Sequence, residues 1–208
     1  MTEEEWLRCA DLDAMFLALP GSLRWRDRKL RLFACGCCRM IPEFMESEPD
    51  RESVELAELE VDGLGGGREY PDEIWDIRWY HRDAGESVAR AISTFRAEMW
   101  NANDLNQADE AKRYEVLSHG GRQLASLLRD IFGNPFRPVS FSPAWRTSTA
   151  LTLARQMYES RDFSLMPILA DALQDAGCEN EDILAHCRDA NQPHVRGCWV
   201  VDLVLGKE

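Results

Sequence analysis

Four side chains able to bind a soft metal fall within thirteen residues near the carboxyl end: His186, Cys187, His194 and Cys198. Imidazole nitrogen and thiolate sulfur are the donors that zinc takes up in tetrahedral sets of four. On a helix, however, adjacent residues diverge by about 100°, so His186 and Cys187 cannot easily face one ion. The spacing also matches no standard zinc template. A better-formed set takes His186 or Cys187 with His194 and Cys198, which are four apart, and adds a thiolate from Cys35 or Cys38. Cys35 and Cys38 share one helix face, whereas Cys37 points away from Cys38. Buried free cysteines are also ordinary small core residues. The six metal candidates, Cys35, Cys38, His186, Cys187, His194 and Cys198, therefore stand against a reading in which no cofactor is expected and the thiols simply fill the core.

Seven cysteines, an odd number with two adjacent, suit thiols in a reducing compartment better than a disulfide framework. Standard enzyme signatures are missing. GLGGG lacks the lysine and hydroxyl residue of a phosphate loop, and neither a Gly-x-Ser-x-Gly elbow nor a His-Glu-x-x-His helix is present. With 37 acidic residues, carboxylate pairs arise by chance, so spacing nominates no acid and base. His81 on an apolar stripe reads as a hydrogen-bonded core residue, and His119 has no partner that sequence identifies.

A formal charge of -13 disfavours nucleic acid and anionic membranes as partners. Charge is segregated along the chain, basic from Arg24 to Arg39 and acidic from Glu43 to Asp62. Either the two segments pair with each other, or Arg24, Arg28 and Arg31 form a basic face that docks a partner. Phe136 and Phe141, in a proline-rich loop, are further candidate anchors, since arginine and aromatics carry much of the energy of interfaces.

These groups must be positioned by helices. Thr2 and Glu5 have capping-box spacing. Pro20 and Gly21 break the first short helix, and Ser22 can cap a longer one through RDRKLRLFACGCCRM to about Pro42. Val54, Ala57, Val61 and Leu64 repeat at helical spacing before GLGGG. The stripe Ile74, Ile77, His81, Ala84, Val88, Ile92, Phe95 and Met99 predicts a long amphipathic helix, with Trp75, Trp79 and Trp100 off the stripe. Leu117, Leu124, Leu128 and Ile131 mark another helix, with a kink expected at Gly120-Gly121. Residues 133–143 hold three prolines and read as a loop. Ser142-Pro143 can start a helix carrying Leu151, Ala154 and Met157; another carries Leu165, Leu169, Ala172 and Leu173, and Asn180 caps NEDILAHCR. The last segment reads as a helix from Pro193 or a strand from Trp199.

The expected fold is therefore all-α, an irregular orthogonal or bundle-like packing of about seven to nine helices, as one domain over 1–208 with a weak boundary at 133–143. MTEEEWLR carries acids where a secretory signal carries bases, and CWVVDLVLG is too short to span a bilayer, so a cytoplasmic location is expected.

TEEEWL, DRKLRLFACGCCR, LLRDIFGNPFRPV and HVRGCWVVDLVLGK together resemble an uncharacterised bacterial family. The resemblance implies a bacterial cytosolic setting and brings no activity, cofactor or catalytic residue. Function is then expected from the residues alone: a noncatalytic interaction or scaffold domain with an unknown protein partner, alternatively a Cys/His zinc-binding module, and third an enzyme of unknown reaction.

Overall fold

A computed structural model describes residues 1–21, 27–40, 48–63 and 110–207. Among these residues there are nine α-helices and no strand, the all-α architecture that the apolar periodicity predicts. The stripe from Ile74 to Met99, with His81 and the neighbouring tryptophans, lies outside the described residues, as do Arg24 and most of GLGGG.

The chain forms two compact units, Met1–Ala125 and Ser126–Glu208. The division falls within a helix rather than in the expected loop at 133–143. That loop belongs to the second unit, where Val139 and Phe141 pack on its core and Arg137 pairs with Asp182.

In the first unit, α1 (Glu3–Arg8) opens on the capping box read from sequence: the Glu5 amide donates to Thr2 Oγ1 at 3.2 Å and the Thr2 amide to Glu5 Oε2 at 2.7 Å. The Asp11 side chain caps α2 (Leu12–Ala18). The core of this unit includes Trp6, Leu12, Met15 and Phe33, with Phe16 edge-on to Phe33 at 5.5 Å. Helices α3 (Asp27–Arg39) and α4 (Glu48–Val61) pair the oppositely charged segments intramolecularly. Arg28 Nε meets Asp62 at 3.1 Å, and Arg39 grips buried Glu58 through Nε and Nη2 at 2.6 and 3.0 Å.

Helix α5 (Glu110–Phe132) continues through Gly120-Gly121. Packing supplies the reason for a residue without a side chain: a Cβ on Gly121 would lie 3.2 Å from the Ala10 carbonyl oxygen.

The second unit holds the end of α5, a 3₁₀ turn at Pro143–Trp145 capped by Ser142, and then α6 (Ser148–Ser160), α7 (Met166–Asp175), α8 (Glu181–Arg188) and α9 (Trp199–Leu205). Ser142-Pro143 thus starts only the short turn, and α6 takes its own cap from Thr147. Helix α7 ends in a glycine-capped reversal in which the Cys178 amide reaches back to the Leu173 carbonyl at 2.9 Å, and Asn180 caps α8. The open choice for the last segment resolves as a helix from Trp199. Its valines pack into a continuous core with Met157, Leu169, Leu173, Ile183 and Cys187.

Arginines close carbonyls at two helix ends. Arg146 donates twice to the Leu203 carbonyl, at 2.9 and 3.3 Å, and buried Arg196 donates to the Tyr158 carbonyl at 2.7 Å while lying over the Tyr158 ring. Gly133, directly after α5, has φ +69°, and a Cβ there would meet the Trp199 indole at 3.3 Å. Both the left-handed backbone and the close approach oppose a side chain. Gly133→Ala is therefore expected to lower stability by about 1–2 kcal/mol, read as a lower urea midpoint with an unchanged slope.

Candidate metal centre

The sharpest polar feature of the second unit is a fully buried carboxylate. Asp130 sits in the last turn of α5 with Leu127, Leu128, Ile131 and Phe132 around it in sequence, all buried. Isolating an ionised carboxylate from water is very unfavourable unless donors or a cation replace the lost hydration. Asp130 Oδ2 accepts the Val195 amide at 3.1 Å. Its Oδ1 meets His194 Nδ1 at 2.9 Å and His186 Nε2 at 3.2 Å. Burial acts to raise its pKa, but the hydrogen bonds and charge interactions with the two histidines outweigh that and hold it below the ordinary aspartate value.

Each remaining member is held by a different piece of local structure. His186 lies in the last turn of α8, its ring 5.2 Å from that of Trp199. His194 belongs to the segment 189–198 between α8 and α9. There Asp189 Oδ1 accepts the Asn191 amide at 2.9 Å, and Arg196 anchors the chain to the end of α6. Cys198 directly precedes α9 and makes no side-chain cap for it. Its sulfur turns to the histidines instead, 3.3 Å from His186 Nε2 and 3.9 Å from His194 Nδ1. Burial, and then the charge of Asp130, push the Cys198 thiol well above its ordinary pKa.

The four donor atoms of Asp130, His186, His194 and Cys198 all lie within 4.8 Å of one another. A tetrahedral zinc ion with bonds of about 2.0–2.3 Å separates its donor atoms by roughly 3.3–3.6 Å. The spacings of 2.9, 3.2, 3.3 and 3.9 Å bracket that edge length. With zinc bound, one carboxylate and one thiolate balance the ion's charge, which removes the main objection to burying either anion.

The same residues contain the ingredients of a cysteine nucleophile with histidine and aspartate, but not its connectivity. Such a triad runs in series, using both nitrogens of one imidazole. Here the nitrogen of His186 that approaches Cys198 is the one that approaches Asp130, and the same holds for His194. The atoms converge on a point, and Cys198 is fully buried from any substrate.

The structure brings together His186, His194 and Cys198 of the six metal candidates. Cys187, next to His186, turns into the core as adjacent helical residues must, and burial pushes its thiol up to about 12. Cys35 and Cys38 belong to the first unit, packed with Val54 and Ala57, and are not members of the group. Burial, followed by the charge of Glu58, raises the Cys35 thiol well above its usual value. The place proposed for a borrowed thiolate is filled by Asp130, which spacing did not nominate. An acid inside the apolar run LLRDIF was the available signal. Of the partner-binding candidates, Arg28 is engaged by Asp62, Arg31 is half-buried on α3, and Phe141 packs edge-on to Trp145 beneath Arg146. Phe136 is exposed.

Comparison of the chain with family models, curated proteins and solved structures finds no significant match. Among the described residues, no helix is long and apolar enough to cross a membrane.

Cobalt(II), which takes zinc's ligands and is coloured, reads the ligand set directly. Cys198→Ala is expected to abolish the thiolate-to-cobalt charge-transfer band, whereas Cys187→Ala, Cys35→Ala and Cys38→Ala retain it. A band that survives without Cys198 contradicts the assignment.

Proposed function

We propose that the second unit, Ser126–Glu208, is a metal-binding module that holds one divalent transition-metal ion, zinc by its ligand chemistry, as a structural clasp. The observation that carries this reading is the convergence of one carboxylate oxygen, two imidazole nitrogens and one sulfur within 4.8 Å in a buried site. Imidazole and thiolate select against magnesium and calcium, which prefer oxygen. Four protein ligands leave no position for substrate, which is the pattern of structural zinc.

The clasp ties together the end of α5, the end of α8, segment 189–198 and the start of α9. Supporting groups are already in place: the Val195 amide on the second carboxylate oxygen, and Trp199 between His186 and Gly133. Such outer contacts orient ligands and commonly tune affinity by about 10–100-fold.

Protein purified without added metal is expected to contain one zinc per chain by elemental analysis. Chelation is expected to lower the unfolding temperature, because zinc at a thousandfold excess over its Kd adds about 4 kcal/mol to stability. Absence of bound metal, together with no change on adding zinc to chelated protein, contradicts the reading.

A further inference from the structure

The His186 and His194 side chains each keep about a tenth of their surface exposed, at 11% and 9%, and His194 meets a cleft. This cleft, of about 390 Å³, is lined by Phe163, Met166, Cys187, Asp189, Gln192 and His194 among others. His194 is thus both a member of the ligand group and part of the cleft wall, with its Nδ1 turned to Asp130. Asp130 and Cys198 are wholly buried, and His186, packed against Trp199, does not line the cleft.

Two properties of the cleft suit a cation. Its lining includes one acid, Asp189, and no lysine or arginine. It also includes Gln192, whose buried Oε1 has no hydrogen-bond partner. A hydrated divalent ion carries six waters at about 30 Å³ each, roughly 180 Å³, so the volume accommodates one. Asp130 and His186 are carried by helices, and Cys198 by the residue whose carbonyl accepts the first hydrogen bond of α9. His194 is carried by the irregular segment between helices, where a small backbone change moves a side chain without breaking a helix.

We propose that His194 is the exchangeable ligand of the metal centre and that this cleft is the port through which a divalent cation enters and leaves, drawn in by Asp189. The inference rests on the metal-clasp reading and adds the route and the gate. With His194 Nδ1 on the metal, swinging the ring toward the cleft opens one coordination position to solvent while three ligands keep their places.

Cobalt-loaded His194→Ala and His186→Ala proteins titrated with imidazole test this. In His194→Ala the added imidazole is expected to enter from the cleft, fill the vacated position and shift the ligand-field bands saturably. In His186→Ala, whose position lies against the Trp199 ring and outside the cleft, a clearly weaker shift is expected. An equal response in both, or none in His194→Ala, overturns the proposal. Should either variant fail to fold, stopped-flow cobalt binding to wild type and Asp189→Asn decides: at low salt the on-rate is expected to fall about fivefold with the equilibrium affinity unchanged. An unchanged on-rate overturns the port. Wild-type protein that takes up no cobalt defeats the clasp itself, an outcome distinct from all of these.

Discussion

The second unit is organised around the buried carboxylate of Asp130. Asp130 has no exposure to water, so its hydration must be replaced from within the protein. The replacement comes from both sides of the chain reversal that follows α8: His186 from the helix, His194 and the Val195 amide from the segment beyond it. Those contacts fix where the segment lies, which in turn fixes where Cys198 and α9 begin. A carboxylate 56 positions before its nearest histidine partner in sequence thereby closes the carboxyl-terminal helices onto the end of α5.

The apolar core and the polar centre divide the work. Met157, Leu169, Leu173, Ile183 and the valines of α9 supply the non-directional burial that holds α6 to α9 together. Burial of that kind does not choose one arrangement of an irregular segment. Directional contacts do: Asp130 with its histidines, Arg196 on the Tyr158 carbonyl, and Trp199 wedged against Gly133. A metal ion at the same point would replace the histidine–carboxylate contacts with four directional bonds where the chain is least regular.

Helix content was legible in the sequence because period and caps agree. Thr2 with Glu5, Asn180 before EDILAHCR, and the reversal at Gly177-Cys178 each satisfy orphan backbone groups locally, so a few residues determine them. The helical state of WVVDLVL was not legible, since three valines also suit a strand and burial against α6 decides. Nor did the proline-rich loop become a boundary, because Val139 and Phe141 bury themselves in the second unit. At the site, three of the four members carry rare side chains and stood out by type. Asp130 did not, being one of 37 acids, and only its apolar neighbours distinguish it. Cys35 and Cys38 misled for the opposite reason: their side chains are rare, but their surroundings are ordinary core.

The buried carboxylate, two imidazoles and one thiolate are proposed to share a metal ion. X-ray absorption at the zinc edge on protein purified without added metal examines that shell atom by atom. The expected shell is one sulfur at about 2.3 Å and three nitrogen or oxygen atoms at about 2.0–2.1 Å. A shell without sulfur, a shell of several sulfurs, or no zinc signal would contradict it.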